Sequence, residues 1–274
     1  MRSYVKTINY MTQNSNHVDV VEREVLVQIS DLHFSQLVPK KGVDPSENLK
    51  KILGKNLNTF LLLTGDLTSF GDIESYKALK VVLTGRDYIA CTGNHDVLEN
   101  MRSVLGCGDD EVVSRGFYQI ISLNTLRTGE VGGDLSKEQL RWLQEVVTRE
   151  TPSLIIMHHP PCTMENHTVE GILLSKTATE GLNDVIAKNP GKVLGILTGH
   201  LHQMMISTLG GVPVVCAPSS AYSLQLGEHG ITWHKNSGEY LVHEISPSGL
   251  STRLECAEKW EPTEETLRNM EKFE

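Results

Sequence analysis

The sequence predicts an α/β fold in which helices cover a largely buried sheet. Eight apolar runs of strand length recur along the chain, and most are continuous rather than alternating, as in strands that are covered on both faces. Between these runs lie segments with apolar residues at helical spacing, and strands that alternate with helices form layers with the helices outside. The 274 residues suffice for one large domain or two small ones. A chain of this size buries roughly three quarters of its extended-chain surface, so its core needs no covalent staple.

Each predicted strand is a short apolar run. The side chains of these runs fit a pleated and buried surface. In chain order the predicted strands are Val25–Ile29, Phe60–Leu63, Tyr88–Cys91, Gln119–Leu123, Leu154–Met157, Val193–Leu197, Val212–Ala217 and Tyr240–Ile245.

The clearest predicted helix is Ser136–Val147. Ser136 and Gln139 form a capping box at its start, and Leu140 and Leu143 continue an apolar stripe at helical spacing. Other predicted helices, with weaker patterns, are Glu47–Leu57, Glu74–Leu83, Val97–Leu105 and Ser175–Lys188.

Composition and charge exclude several classes of protein. With 39% apolar and 22% charged residues, the chain has the composition of a soluble globular protein rather than a disordered one. No apolar run approaches the roughly 20 residues of a spanning helix. The net charge of −9 argues against binding nucleic acid through a broad basic surface. A small-molecule substrate is the expected partner, and homo-oligomerisation stays open.

We divide the chain into three parts. Residues 1–24 form an N-terminal extension, 25–256 the folded domain and 257–274 an acidic, amphipathic C-terminal tail. The tail is expected to dock as a short helix, on the domain or on a partner. Because the N-terminus lacks the apolar core and cleavage site of a signal peptide, we expect a cytoplasmic protein. The five cysteines, an odd number without a CxxC pair, are expected to be reduced thiols rather than disulfides or metal ligands.

Five short polar motifs each follow a predicted strand. They are Asp31-Leu-His33, Gly65-Asp66, Gly93-Asn-His-Asp96, His158-His159 and Gly199-His-Leu-His202. Any one of them alone would carry little information, and a lone His-His pair is more often structural than functional. Functional sites of α/β proteins form in the loops that follow the carboxyl ends of the strands, so these five motifs can come together at one site. Their carboxylates, imidazoles and carboxamide suit two close cations of the Mn, Fe or Zn kind.

In this order the motifs resemble the calcineurin-like metallophosphoesterase superfamily, whose pattern is D-x-H, G-D, G-N-H-[D/E], H and G-H-x-H. The resemblance covers roughly residues 25–220. Within the superfamily, the spacing, the His-His-Pro-Pro run at 158–161 and segment 132–143 are most similar to class III cyclic-nucleotide phosphodiesterases and bacterial glycerophosphodiesterases. The resemblance implies a four-layer α/β/β/α sandwich with mixed sheets and a site for two divalent or trivalent ions of Mn, Fe or Zn.

The resemblance also implies how the metal ligands are shared. The first ion would be held by Asp31, His33 and His202, and Asp66 would bridge both ions. Asn94, His200 and one of two adjacent histidines would hold the second ion.

The resemblance leaves a choice between His158 and His159 for the last ligand. Related proteins keep a histidine two residues before a proline, which here is Pro161. We therefore expect His159 to be the ligand, and His158 to lie behind the ligands or to face the substrate.

The resemblance assigns catalysis to His95 and Asp96. His95 would contact a phosphoryl oxygen or the leaving group, and Asp96 would orient its imidazole. A hydroxide held by the metal ions would be the nucleophile, since no side-chain nucleophile motif is present.

The favoured activity is hydrolysis of 3′,5′-cyclic nucleotides. The alternatives are a broader phosphodiesterase or glycerophosphodiesterase, a phosphomonoesterase, or a non-catalytic scaffold of the same fold. Asp66-Leu-Thr-Ser69 lacks the tyrosine of purple acid phosphatases, and the arginine-rich pocket of protein phosphatases is also missing. The acidic charge argues against a nuclease of the Mre11 type.

Overall fold

In a computed structural model of the protein, two sheets stack face to face at the centre. The structure describes residues 23–35, 45–148, 151–162, 171–227 and 230–258. Within these ranges the strands are β1 (Glu24–Ile29), β2 (Phe60–Thr64), β3 (Tyr88–Cys91), β4 (Glu111–Arg115), β5 (Tyr118–Ser122), β6 (Ser153–Ile156), β7 (Val193–Thr198), β8 (Met205–Leu209), β9 (Val212–Cys216), β10 (Tyr222–Gly227), β11 (Gly230–Lys235), β12 (Glu239–Ser246) and β13 (Gly249–Cys256). The helices are α1 (Pro45–Lys55), α2 (Ile73–Val82), α3 (Leu98–Leu105), α4 (Lys137–Val147) and α5 (Lys176–Lys188).

Both large sheets are mixed. The first has the order β13-β12-β1-β2-β3, and the second has the order β4-β5-β6-β7-β9-β8. In the first sheet β1, β2 and β3 run parallel, and β12 and β13 run antiparallel to their neighbours. In the second sheet β5, β6, β7 and β9 run parallel between antiparallel edge strands. Strands β10 and β11 form a separate hairpin.

Three apolar clusters separate four layers. One packs α1, α2 and α3 on the outer face of the first sheet, through residues such as Leu49 and Leu79. Another packs α4 and α5 on the outer face of the second sheet, through Leu143 and Leu182 among others. The third lies between the two sheets and joins side chains of both. The expected α/β/β/α sandwich with mixed sheets is therefore confirmed.

The eight predicted strands and the five predicted helices of the folded domain are all present, with bounds that differ by a few residues. The capping box at the start of α4 forms as expected: the Ser136 side chain accepts from the Gln139 backbone, and the Gln139 side chain accepts from the Ser136 backbone. Ser175 likewise caps α5 by accepting from the Ala178 backbone. Strand β2 is buried along its whole length, which explains why its sequence is continuously apolar.

Five strands were not predicted from the sequence: β4, β8, β10, β11 and β13. Among them β8 alternates between half-buried and exposed residues, and β13 consists of half-buried and exposed residues. Both are edge strands, as is β4. Edge strands carry polar residues and need little apolar surface, so a search for apolar runs passes over them.

A buried polar network connects the two sheets. Gln28 on β1 donates through Nε2 to Thr64 Oγ1 at 3.0 Å and to the Thr198 carbonyl of the opposite sheet at 2.8 Å. Its Oε1 therefore accepts from His243 Nε2–H at 2.9 Å, and His243 Nδ1 accepts from the Thr252 hydroxyl at 2.8 Å. These hydrogen bonds fix the Gln28 carboxamide where β2 and β7 end.

The proposed tails fall largely outside the described residues, and so do residues 36–44. All five cysteines lie in the described residues, and none of them forms a disulfide. In the part of the chain that the structure describes, no helix has both the length and the apolar character needed to cross a membrane.

Candidate metal centre

The five motifs meet at the edge where the carboxyl ends of the central strands release their loops. Asp31, Asp66 and Asn94 follow β1, β2 and β3 of the first sheet, and His158 and His200 follow β6 and β7 of the second. The site thus lies across the two sheets, and residues more than 160 positions apart in sequence come within hydrogen-bond distance.

One group of side chains is built around Asp31. His33 Nε2 lies 3.0 Å from His202 Nε2, and His202 Nε2 lies 3.3 Å from Asp31 Oδ1. Ligand atoms of these three residues and Asp66 all lie within 4.8 Å of one another, and all four side chains are buried. This group contains the residues expected at the first ion.

A second group surrounds His158. Its Nε2 lies 3.2 Å from Asn94 Oδ1 and 3.2 Å from His200 Nδ1. The same nitrogen lies 3.5 Å from Asp66 Oδ1. Three further potential ligand atoms, from Asn94, His200 and Asp66, therefore lie within 3.5 Å of His158 Nε2.

Asp66 lies between the two groups. Its Oδ2 is 3.7 Å from His33 Nε2 in the first group, and its Oδ1 is 3.5 Å from His158 Nε2 in the second. Oδ1 also accepts the backbone N–H of His95 at 2.8 Å. Each carboxylate oxygen thus faces a different group, which is the arrangement that a bridging ligand needs.

Backbone carbonyls set the tautomers of two histidines. His158 Nδ1–H donates to the Thr64 carbonyl and His202 Nδ1–H donates to the Tyr222 carbonyl, each at 2.8 Å. A neutral imidazole that donates through Nδ1 carries its lone pair on Nε2. Both Nε2 atoms therefore present lone pairs to the site, as metal-binding histidines held by an outer hydrogen bond do.

The geometry goes against the sequence-based choice of His159 as a ligand. Its Nε2–H donates to the Val131 carbonyl at 3.0 Å, and its Nδ1 accepts from the Thr125 hydroxyl at 2.7 Å. Although His159 lies close to His158 and His200, both of its ring nitrogens are occupied by protein partners. Adjacent side chains on an extended segment point to opposite sides, and it is Nε2 of His158 that faces Asn94, His200 and Asp66. The choice between the two histidines stays a prediction.

The expected role of Asp96 also needs correction. His95 Nδ1–H donates to the Ser69 carbonyl at 3.1 Å, so its imidazole is oriented by a carbonyl and not by Asp96. The Asp96 carboxylate is buried and accepts the backbone N–H groups of Leu67, Thr68 and Gly93 and the Tyr76 hydroxyl. Burial and the charge of Asp66 raise the pKa of Asp96 to about 6. Asp96 therefore ties together the loops after β2 and β3.

The backbone is strained at the site. Among the described residues, the non-glycine positions with positive φ are Asp31, His33, Asp66, His200 and His202, with φ between 43° and 79°. Side chains other than glycine seldom adopt this region, and such conformations cluster at functional sites. All five are residues that the sequence motifs single out.

Two motif glycines permit close approach of the loops. A Cβ at Gly93 would collide with Asp66, and a Cβ at Gly199 would collide with the Ser30 hydroxyl beside Asp31. Glycine is thus required at these positions by space, since neither has a positive φ.

Burial disfavours the charged forms of His33 and His200, whereas the charge of Asp31 outweighs burial at His202 and raises its pKa. Burial lowers the pKa of His200 to about 3, with a further contribution from His158. Burial and His202 hold the pKa of His33 well below its usual range. Burial alone would raise the pKa of the Asp31 carboxyl, but His202, His158 and His33 outweigh it, so the pKa is lowered.

The donor set fits metal ions. Lone-pair nitrogens, carboxylates and the Asn94 oxygen face one another in a buried pocket, where they repel unless a cation lies between them. Oxygen and imidazole donors suit Mn, Fe and Zn.

Sequence reasoning missed Tyr222, which lies beside the site. Tyr222 packs its ring on His33 and His202, with centroids 5.2 Å and 4.6 Å apart. Burial and the charges of Asp31 and Asp66 raise its pKa to about 12. Tyr222 starts a strand without an apolar run, so no local pattern marks it.

Comparisons with known proteins point to one family. The family model for calcineurin-like phosphoesterases matches residues 25–204. The chain is 33% identical over 202 residues to a probable cyclic nucleotide phosphodiesterase of Ruthia magnifica subsp. Calyptogena magnifica, across 71% of this chain and 85% of that one. It is 30% identical over 215 residues to a 3′,5′-cyclic-nucleotide phosphodiesterase of Nostoc sp., across 73% of this chain and 79% of that one. Among solved structures, a dimetal phosphatase from Danio rerio shares the fold, with a TM-score of 0.57 at 14% identity over 86% of this chain and 99% of that chain.

Proposed function

Because the chain belongs to the calcineurin-like phosphoesterase family, we propose that it is a dinuclear metal-dependent phosphodiesterase that hydrolyses 3′,5′-cyclic nucleotides. The observation that carries the proposal is the position of Asp66, whose two oxygens face two separate groups of buried ligand atoms. The substrate part of the proposal draws on the names of the relatives from Ruthia magnifica and Nostoc.

We assign the ligands accordingly. Asp31, His33 and His202 would hold one ion, and Asp66 would be shared between this ion and the second. The second ion would be held by Asn94, His158 and His200, with His158 in place of His159. When bound, the ions lower the pKa of a water molecule and neutralise the phosphoryl oxygens.

The protein side chains supply the remaining chemistry. Hydrolysis joins the oxygen of water to phosphorus and breaks one P–O ester bond, and the departing alkoxide takes up a proton. His95 is suited to deliver that proton, because its ring is 40% exposed and its Nε2 lies 4.0 Å from Asp66 Oδ2, at the rim of the site. Its Nδ1–H stays bonded to Ser69, which keeps Nε2 turned toward the substrate.

The charge of the site favours a diester over a monoester. Among the described residues, no arginine or lysine forms a hydrogen bond or ion pair with the proposed ligands or with His95. A diester carries one negative charge and needs little beyond two dications, whereas a monoester dianion usually gains from additional basic side chains. This is consistent with the cyclic diester as substrate.

Hydrolysis by Mn-reconstituted protein tests the proposal. We expect higher kcat/KM for 3′,5′-cyclic AMP and bis(4-nitrophenyl) phosphate than for 4-nitrophenyl phosphate. Asp66→Ala should lose both ions and all activity, and serves as the control for contaminating esterases. A tenfold preference for the monoester would overturn the diesterase proposal. Hydrolysis of 2′,3′-cyclic AMP without hydrolysis of 3′,5′-cyclic AMP would overturn the substrate class.

A further inference from the structure

Tyr222 is held rigidly beside the metal centre although it belongs to none of the five motifs. Its carbonyl accepts His202 Nδ1–H at 2.8 Å. Its backbone N–H donates to Ser219 Oγ at 3.2 Å, and the Ser219 hydroxyl donates to the Asp31 carbonyl at 2.8 Å. The backbone of Tyr222 is thus tied to two proposed ligands of the first ion.

The ring of Tyr222 forms part of an aromatic row along the first ligand group. It packs against His33 and His202 at centroid distances of 5.2 Å and 4.6 Å. His33 also meets the exposed His95 edge to face at 4.9 Å. Tyr222 and His95 therefore both adjoin His33, and both belong to the immediate surroundings of the proposed reaction centre.

The hydroxyl of Tyr222 has no hydrogen-bond partner within the described ranges. By contrast, the Tyr76 hydroxyl donates to Asp96 and the Tyr118 hydroxyl donates to Glu24. Tyr222 is half-buried. A tyrosine hydroxyl has an ordinary pKa of about 10, so it is a hydrogen-bond donor at neutral pH. A preorganised neutral donor with an unused proton is left at the site.

We propose that Tyr222 contacts the substrate and donates its hydroxyl hydrogen bond to a non-bridging phosphoryl oxygen, an inference that rests on the proposed function. Preorganised donors directed at oxygens where charge develops are effective catalytic groups. A neutral phenol adds no positive charge, which matches a substrate that carries a single negative charge. His95 then serves the leaving oxygen, and Tyr222 serves an oxygen that stays on phosphorus.

The test compares Tyr222→Phe with Tyr88→Phe in the metal-loaded protein. Tyr222→Phe keeps the ring on His33 and His202 and removes only the hydroxyl. Tyr88 is a matched control, because it is also half-buried with a pKa raised to about 12, but it starts β3 at the end of the sheet away from the site. Metal content, kcat and KM for bis(4-nitrophenyl) phosphate, and the Kd of inorganic phosphate are measured for each.

We expect Tyr222→Phe to retain the metal content of the unmodified protein. Its kcat/KM should fall roughly 10- to 100-fold and its affinity for inorganic phosphate roughly tenfold, as for loss of a hydrogen bond to a charged group. Tyr88→Phe should leave all three quantities unchanged. Values for Tyr222→Phe within twofold of the unmodified protein would overturn the proposal, and so would loss of metal, since the hydroxyl would then have a structural role.

The phosphate measurement separates this inference from the proposed function. If the unmodified protein binds two ions and phosphate but cleaves no diester, the proposed function fails. The difference in phosphate affinity between Tyr222→Phe and Tyr88→Phe still decides whether the hydroxyl contacts a phosphoryl oxygen.

Discussion

At the scale of single residues, the site depends on conformations that most side chains avoid. A non-glycine residue with positive φ costs about 1–3 kcal/mol, and five such residues surround this centre. Local hydrogen bonds hold them in place: Asp31 N–H donates to the Gly65 carbonyl at 3.1 Å, and His33 N–H donates to the Asp66 carbonyl at 2.9 Å. The loops of β1 and β2 therefore stabilise one another and position the side chains of these residues.

The adjacent histidines should differ sharply in metal binding. We expect His158→Asn to reduce the bound metal to about one ion per chain, because Nε2 of His158 faces Asn94, His200 and Asp66. His159→Asn should retain close to two ions, since its ring nitrogens bond Thr125 and Val131 instead. Elemental analysis after gel filtration measures both. Equal losses, or a greater loss at His159, would restore the assignment expected from the sequence.

His95→Ala should separate chemistry from metal binding. The interaction of His95 with Asp66 Oδ1 comes from its backbone N–H, which alanine retains, so both ions should stay bound. We expect kcat to fall roughly 10²–10⁴-fold, the usual range for loss of a general acid. The loss should shrink for 4-nitrophenolate leaving groups, which need little protonation. A loss that is uniform across leaving groups would show that His95 acts on phosphoryl charge instead.

At the scale of elements, the ends of three strands are held together by side chains that do not take part in the chemistry. The Gln28 carboxamide on β1 binds both Thr64 at the end of β2 and Thr198 at the end of β7. The Thr64 carbonyl in turn accepts His158 Nδ1–H. Asp66 follows the end of β2 and His200 follows the end of β7. The alignment of these strand ends therefore sets the spacing of the ligands.

His243 on β12 should make the stability of the protein depend on pH. Burial lowers its pKa to about 3, below the ordinary value of 6.5, and its partners Gln28 and Thr252 are uncharged. Between these values the unfolded chain binds a proton that the folded chain does not. The contribution of His243 is therefore complete above about pH 6.5 and is lost as the pH falls toward 3.

Urea unfolding of the metal-free protein at several pH values measures this effect. His243→Gln removes the titrating group, so between pH 6 and 4 its unfolding free energy should fall less steeply than that of the unmodified protein, by up to about 1.4 kcal/mol per pH unit. The other histidines whose pKa is lowered titrate equally in both proteins. Their contributions therefore cancel in the difference between the two pH profiles. Parallel pH profiles would contradict the prediction.

At the scale of the whole molecule, the site is shared between two sheets that otherwise meet through an apolar layer. Asp31, His33, Asp66 and Asn94 come from the first sheet, and the remaining proposed ligands come from the second. Bound ions would cross-link the sandwich and neutralise the buried carboxylates of Asp31 and Asp66. Metal binding should therefore be linked to global stability.

Chelation should lower the unfolding temperature. A ligand present at a hundred times its Kd stabilises the folded state by about 2.7 kcal/mol per site. We expect EDTA to lower Tm by several degrees and Mn²⁺ to restore it, as followed by circular dichroism. In Asp66→Ala neither addition should have an effect. An unmodified protein that loses its ions without a change in Tm would show that the metal centre is not coupled to folding.

Much of the fold could be predicted because its central strands are buried on both faces. Continuous apolar runs such as 60–63 mark these strands, and the capping box at Ser136 and Gln139 marks the start of α4. The edge strands β4, β8 and β13 and the hairpin of β10 and β11 could not be predicted in this way. Their residues are partly exposed and polar, and they pair through backbone hydrogen bonds that leave little trace in the side chains.

The sequence by itself determined which chemical groups the centre contains, because five polar motifs after strands are a pattern that convergence at one sheet edge explains. Only the tertiary structure decided which group does what. His158 and His159 are neighbours in sequence, but they differ in which carbonyls and hydroxyls their rings meet. Asp96 bonds backbone amides rather than His95, and Tyr222 reaches the site from a hairpin. Hydrogen-bond partners far apart in the chain set these roles, and a linear pattern carries no record of them.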